Sequence, residues 1–175
     1  MKSDQELVES TNAGDVDAFE TLYRRHRDWV YRLAWRFTGD HQDALDVLQE
    51  TFTYLLQKFP GVTLTASMTT FLYPVVKHVS LNLHRRKAPG HADDTLLNAI
   101  PDAARSQAHR AELAAALGAL PSEQREVVLM RFVDGLALAE ISTALDIPLN
   151  TAKSRLYNAL QKLRDDPRTR DYFLD

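Results

Sequence analysis

Apolar residues recur every three or four positions along most of the chain, which is the spacing of one face of an α-helix. No stretch shows the alternation of apolar and polar residues, bounded by turn residues, that indicates a β-strand. The pattern therefore predicts an all-α fold.

Turn and capping residues divide the first part of the chain into four helices. The second helix is predicted to end at Gly39, the third at Phe59 and the fourth near Lys87. Pro74 removes one backbone donor, so the fourth helix should begin only a few residues earlier or kink there. Side chains that can cap the first three helices are Ser3 together with Glu6, Asp15, and Asp40.

A segment with few large apolar residues separates two groups of helices. It spans residues 88–111 and contains two prolines and a glycine, so we expect a flexible linker. This division predicts one small helical domain at 1–87, a second at 112–165 and a tail at 166–175. Neither domain is large, so each depends on a small core.

The second domain has the pattern of a helix-turn-helix. After a helix that runs to about Leu120, Ser122 is expected to cap the next one, and two shorter helices follow around residues 146–148. Asn150 is expected as the N-cap of the last helix. The apolar stripes of these two helices are formed by Leu138, Ile141 and Leu145, and by Ala152, Leu156, Ala159, Leu160 and Leu163. A plain helical hairpin with a basic solvated face is the alternative.

The outer face of the last helix carries hydrogen-bond donors. Such side chains suit phosphates and base edges in a DNA major groove. The residues on this face are Thr151, Lys153, Ser154, Arg155 and Asn158.

Composition excludes several classes of protein. The chain has 175 residues, of which 45% are hydrophobic and 26% charged, as in soluble globular proteins. It contains no cysteine, which removes disulfides, thiol nucleophiles and cysteine-ligated zinc. Its densest apolar segments are far shorter than the roughly 20 residues of a membrane span, and its start has no signal-like apolar stretch. We therefore expect a cytoplasmic protein without membrane insertion.

The net charge of −3 conceals three basic clusters. Each could be a solvated helix face or a surface for nucleic acid. The clusters are Arg24, Arg25, Arg27, Arg32 and Arg36; Lys77, Arg85, Arg86 and Lys87; and Lys153, Arg155, Lys162 and Arg164. The six histidines form no metal-binding pattern and there is no glycine-rich phosphate loop, so we expect no enzyme, no catalytic residue, no metal and no cofactor.

The run LPSEQREVVLMRFVDGLALAEISTALDIPLNTAKSRLYNALQKLRD resembles region four of the extracytoplasmic-function (ECF) sigma factors of bacterial RNA polymerase. The resemblance implies that the second domain binds the promoter's minus-thirty-five element through the outer face of its last helix. Ala152 and Asn150 stand where the family often has valine and glycine.

The run DALDVLQETFTYLLQKF resembles the family's helix that docks on the clamp of the polymerase's largest subunit. The resemblance assigns this role to Asp43, Asp46, Gln49 and Glu50. By their spacing, the three acids share one helix face. The core side of the helix is predicted to consist of Val47, Leu48, Phe52, Leu55 and Leu56.

The next run, FLYPVVKHVSLNLHRRK, resembles the family segment that binds the minus-ten element as a single strand. Aromatic residues before a basic helix end provide the stacking and phosphate contacts that such binding requires. The residues implied are Phe71, Tyr73, Lys77, His78, Asn82, Arg85 and Arg86. In the family, the preceding loop, here Gly61 to Thr70, captures a flipped base.

The resemblance covers roughly residues 15–165 and implies a sigma factor that brings polymerase core to promoters and helps to open the DNA. The implied partners are the clamp, the flap of the second-largest subunit, promoter DNA and an anti-sigma protein. Phosphorylation at Thr51 or Thr53 is the alternative form of regulation. A regulator that uses only its helix-turn-helix, and a decoy that never touches DNA, are the competing hypotheses.

Overall fold

The computed structural model describes residues 1–87 and 107–170, and every regular element in these ranges is a helix. The predicted all-α fold is therefore confirmed. The chain divides into two compact units, Met1–Ala92 and Asp93–Asp175. The expected linker falls mostly outside the described residues, but 107–111 are helical. Among the described helices, none combines the length and apolar character that a bilayer span requires.

The described part of the first unit is built from α1 (Asp4–Asn12), α2 (Val16–Thr38), α3 (His41–Lys58) and α4 (Met68–Lys87). Helix α1 begins with a capping box, because Ser3 Oγ accepts from Glu6 N and the Glu6 carboxylate accepts from Ser3 N. Asp15 and Asp40 cap α2 and α3 through their side chains, and Gly39 ends α2 in the left-handed conformation. These caps confirm the predicted boundaries.

Helices α1, α3 and α4 all pack against α2. The interior of this unit includes Leu22, Val30 and Leu33 of α2, Val47 and Leu55 of α3, and Leu72, Tyr73 and Val76 of α4. Two predicted core residues are not there, since Leu48 is only half-buried and Leu56 is 53% exposed. The buried stripe of α3 follows Ala44, Val47, Thr51 and Leu55 in steps of three and four, which leaves Leu56 on the flank.

The described part of the second unit is built from α5 (Gln107–Gly118), α6 (Ser122–Phe132), α7 (Leu138–Ala144) and α8 (Leu149–Asp165). Neither predicted cap here is correct. The N-caps are Pro121 and Pro148, so Ser122 is already helical and Asn150 is the second residue of α8. Each proline is extended, and its carbonyl accepts hydrogen bonds from the N–H groups of the third and fourth helical residues. Neither helix start has a side-chain cap, so the backbone alone sets where the helix starts.

The turn between α7 and α8 has the predicted place and a compact geometry. Asp146 adopts the left-handed conformation with φ 51°, which short polar residues tolerate best after glycine. Ser142 Oγ donates to the carbonyl of Ile147 at 2.6 Å across the turn. Helix α8 has 17 residues against 7 in α7, so it is longer than the short helix expected.

Helix α8 packs on α6 and α7 by the predicted stripe. Ala159 and Leu163 belong to a core with residues of α5 and α6, among them Leu117 and Leu129. Buried Arg125 donates to the carbonyls of Leu117 and Gly118 at the end of α5 and to that of Leu120 just after it. The guanidinium therefore adds hydrogen bonds to carbonyls at this helix end.

Candidate functional site

The outer face of α8 carries the polar side chains that the sequence assigned to it. Lys153, Ser154 and Asn158 are exposed, Thr151 is half-buried, and buried Ala152 faces the other way. Ser154 Oγ donates to the carbonyl of Thr151 at 3.0 Å, which fixes its position on the helix. These residues form a continuous surface with donors of different lengths.

Arg155 is held by a neighbouring helix. Its Nη2 lies 2.8 Å from Glu123 Oε2 on α6, and the side chains are 23% and 66% exposed respectively. A guanidinium has five N–H donors, so this ion pair leaves some of them available to other acceptors. Glu123 can therefore act on the predicted base contact of Arg155 in one of two ways. It competes with the base for the guanidinium, or it orients the guanidinium toward the base.

Sequence reasoning missed one exposed aromatic residue on α8. Tyr157 is 64% exposed. It lies about one helical turn after Lys153 and Ser154, on the same side of α8. The signal was available, because Tyr157 falls outside the apolar stripe. An aromatic side chain here can contact a thymine methyl group or a sugar.

Helix α4 presents a second candidate surface. Phe71, His78, Asn82 and Arg85 follow one ridge at spacings of seven, four and three, and none of them is buried. Asn82 Nδ2 and His78 Nε2 are 2.8 Å apart and orient each other. Arg86 is exposed beside this ridge, whereas Lys77 is half-buried. We call Phe71, His78, Asn82 and Arg85 the α4 ridge.

Tyr73 does not belong to this surface, which corrects the sequence assignment. Its side chain is 0% exposed and packs edge-on against Phe37 of α2, with ring centroids 6.3 Å apart. Two residues along a helix turn the side chain by about 200°, so Phe71 and Tyr73 point to opposite sides. Tyr73 is a core residue and has no face on which a base could stack.

Helix α3 displays three of the four residues assigned to polymerase binding. Asp46, Gln49 and Glu50 are exposed, and Asp46 accepts a hydrogen bond from Gln42 at 3.3 Å. Asp43 does not share their exposure, since it is buried and forms an ion pair with Lys87 at the end of α4. The hydrogen bond that Lys87 donates to the Asp43 carboxylate raises the pKa of Lys87.

An apolar groove of about 450 Å³ runs beside Gln49 between α2 and α3. Leu45 and Leu56 are 37% and 53% exposed at its rim. Its lining is completed by Phe19, Tyr23, Leu48, Gln49, Phe52 and Thr53. The acidic face of α3 is thus bordered by exposed apolar surface. Of its two rim residues, Leu56 is the one that the sequence predicts in the core.

The two threonines considered for phosphorylation lie in different environments. Thr51 is 0% exposed on the core side of α3, whereas Thr53 is exposed. A kinase cannot reach Thr51 in the folded unit, so this half of the alternative is wrong. In the part of the chain that the structure describes, no three side chains of the His, Asp and Glu type are grouped as metal ligands.

Two protein families match this chain. Residues 22–89 match the family described as Sigma-70 region 2, and residues 103–163 match the family described as Sigma-70, region 4. The ECF RNA polymerase sigma factor SigM of Mycobacterium tuberculosis is 31% identical over 164 residues, covering 93% of this chain and 83% of the relative. These matches place the α4 ridge and α8 in different sigma regions.

Solved structures that share the fold include CnrH and RpoE. CnrH, in complex with the cytosolic domain of CnrY, superposes with a TM-score of 0.68 at 21% identity, covering 92% of this chain and 94% of CnrH. The sigma factor RpoE from Bartonella quintana, in complex with the anti-sigma factor NepR, gives a TM-score of 0.66 at 17% identity, covering 86% of this chain and 96% of RpoE.

Proposed function

The chain belongs to the ECF family of RNA polymerase sigma factors, and from this premise we propose that it directs polymerase core to promoters through three separate surfaces. They are the exposed side of α3, the α4 ridge and the outer face of α8. The observation that carries the proposal is that one chain displays an acidic helix, an aromatic and basic helix, and a basic helix-turn-helix. A regulator that uses only its helix-turn-helix has no need of the first two.

The polymerase-docking surface combines charge and apolar area. Asp46, Gln49 and Glu50 supply polar contacts to a basic clamp, and the groove edged by Leu45 and Leu56 accepts an apolar side chain from the same partner. Interfaces commonly place an apolar centre beside polar contacts in this way. Asp43 is excluded from this surface, because its carboxylate is already paired with Lys87.

The α4 ridge is the proposed minus-ten surface. Phe71 is the half-exposed ring on which a base can stack, and the basic end at Arg85 and Arg86 meets the phosphates. His78 and Asn82, which are hydrogen-bonded to each other, lie between these two parts and can contact base edges. Lys77 flanks the ridge and can contact the strand's backbone.

The outer face of α8 is the proposed minus-thirty-five surface. The donors on Lys153, Ser154 and Asn158 reach phosphates and base edges. Thr151 lies at the start of α8, where the free backbone N–H groups of the helix favour phosphate. Arg155 contacts DNA either after its ion pair with Glu123 breaks or while its guanidinium bonds to Glu123 and DNA together. Exposed Phe132 and Val133, at the end of α6, offer an apolar contact for the polymerase flap.

Regulation by an anti-sigma protein is part of the proposal. RpoE, which shares the fold, was solved with the anti-sigma factor NepR, and the displayed surfaces of this chain are those that such an inhibitor would have to cover. Because polymerase is its partner, the chain works in the cytoplasm. Sigma factors are regulators of transcription initiation, and the chain has this role rather than that of an enzyme.

Run-off transcription on genomic DNA tests the proposal directly. Core polymerase with the purified, unmodified chain should produce defined transcripts that core alone does not make. Absence of any such transcript would contradict the sigma function. Transcription that starts only after a kinase or small molecule is added would contradict the anti-sigma form of regulation and place the switch within the chain.

A further inference from the structure

One side chain of α1 fastens the loop between α3 and α4. Asn12 Oδ1 accepts hydrogen bonds from Gly61 N at 2.7 Å and Val62 N at 3.2 Å, and its Nδ2 donates to Val62 O at 2.8 Å. These backbone groups lie 49 and 50 residues away in the sequence. An amide suits this role because it carries both an acceptor and a donor.

The loop is anchored at its start and exposed at its tip. Val62 and Leu64 are 5% and 8% exposed, whereas Thr63 and Thr65 between and after them are exposed. Ser67 Oγ then accepts from Thr70 N at 3.3 Å where α4 begins. The exposed tip therefore lies directly before the α4 ridge in the chain.

We propose that Asn12 is a positioning residue for minus-ten recognition, acting through the path of residues 61–67. This inference rests on the proposed function of the α4 ridge. The match to Sigma-70 region 2 begins at residue 22, so it assigns no part in recognition to α1. Because Asn12 holds three polar groups of the loop, a bound strand meets a backbone that is already ordered and loses less conformational entropy.

The effect of Asn12 is separable from folding. Two apolar side chains, Val62 and Leu64, already attach the loop to the core without it. Loss of the amide should therefore free the backbone of Gly61 and Val62 while the four-helix packing remains. Hydrogen exchange at these two amides should become faster in Asn12→Ala, and exchange in the centre of α2 should not change.

The test measures how the full chain, bound to core polymerase, binds a fluorescent single-stranded oligonucleotide. Its sequence is the minus-ten strand of a promoter found by the run-off assay, and a scrambled strand serves for comparison. Asn12→Ala should weaken minus-ten binding about three- to tenfold, which is the order of one net hydrogen bond. Binding to core and to the scrambled strand should stay unchanged.

Two variants sharpen the result. Glu9→Ala, on an exposed position of the same helix, should behave like the parent chain. Asn12→Asp keeps the two accepted bonds but opposes the carbonyl of Val62, so its affinity should lie between those of the parent and Asn12→Ala. It also provides a measurement if Asn12→Ala folds poorly.

The outcomes distinguish failure of the positioning role of Asn12 from failure of the proposed function of the α4 ridge. Unchanged minus-ten affinity in both Asn12 variants overturns the positioning role. An equal loss for the minus-ten and scrambled strands, or a loss of core binding, also overturns it, since either result indicates a general structural defect. If the parent chain itself does not prefer the minus-ten strand, the proposed function of the α4 ridge fails.

Discussion

In each unit, a charged residue that the sequence assigns to a binding surface pairs with a residue of another helix, and the more buried partner has opposite sign in the two pairs. In the first unit the acid is buried, with Asp43 11% and Lys87 56% exposed. In the second the base is the more buried, with Arg155 23% and Glu123 66% exposed. A buried charge that loses its partner is strongly destabilising, whereas an exposed pair contributes little. Asp43 is therefore committed to the fold, whereas part of the Arg155 side chain stays exposed.

The largest expected effect tests whether the exposed acidic side chains of α3 bind core polymerase. Replacing Asp46 and Glu50 together by arginine should reduce affinity for core more than about 100-fold, since like charges at an interface cost several kcal/mol. Both side chains are exposed, so the thermal unfolding midpoint should not change. A fluorescence binding titration with core measures the first quantity, and circular dichroism the second.

The matched control for that pair is Glu9→Arg with Asp28→Arg, which makes the same charge change at exposed positions of α1 and α2. This control should bind core nearly as well as the parent chain. If the two double variants bind core equally, the acidic side of α3 is an ordinary solvated face.

The next effect compares two aromatic residues of α4, the half-exposed Phe71 and the buried Tyr73. Phe71→Ala should weaken binding of the minus-ten strand by about 1–3 kcal/mol, the range for loss of one stacked base. Tyr73→Phe should leave that affinity unchanged, because the ring packs against Phe37 inside the unit. Equilibrium binding of the single strand to the holoenzyme checks both. An effect of Tyr73→Phe larger than that of Phe71→Ala would contradict the assignment.

The third effect concerns stability. Lys87→Met leaves the Asp43 carboxylate buried without its partner and should lower the unfolding midpoint of the first unit by a few degrees. Arg86→Met, at the exposed neighbouring position, removes the same charge from the helix end and should have little effect. Equal midpoints for the two variants would show that the ion pair does not stabilise the unit.

The same pair predicts a pH dependence. The hydrogen bond to Asp43 raises the pKa of Lys87 above its ordinary value of 10.5. A group whose pKa is raised by folding stabilises the folded state below its unfolded pKa and loses that contribution as pH rises through the folded value. The difference between the parent chain and Lys87→Met should therefore persist to about pH 10.5 and shrink above it.

Helical periodicity and capping residues were sufficient to predict most of the fold, because both depend on neighbours in the sequence. The same local information could not predict that Pro121 and Pro148 start α6 and α8, since side-chain capping preferences pointed to Ser122 and Asn150. The type of each candidate residue was likewise visible in the sequence, but its exposure depends on distant partners. Tyr73 meets Phe37, and Arg155 meets Glu123, only after the helices have packed.

The smallest expected effect tests whether Glu123 restrains Arg155 or supports it. Glu123 is mostly exposed and carries the charge that DNA phosphates repel, so we expect it to compete with DNA for the guanidinium. Glu123→Gln should raise holoenzyme affinity for a duplex with the minus-thirty-five element about two- to fivefold, the scale of an exposed ion pair. The gain should shrink at high salt, and the unfolding midpoint should stay within about a degree of the parent's.

Two controls isolate the pair that this prediction concerns. Glu112→Gln removes the same charge from an exposed position of α5 and should give a smaller gain. In an Arg155→Ala background, Glu123→Gln should raise the DNA affinity no more than Glu112→Gln does. The coupling between Arg155 and Glu123 is then absent. If Glu123→Gln instead lowers the affinity, and only while Arg155 is present, Glu123 orients the arginine toward the base. Arg155 would then resemble Asp43 more closely, as a charge whose function depends on staying paired within its own unit.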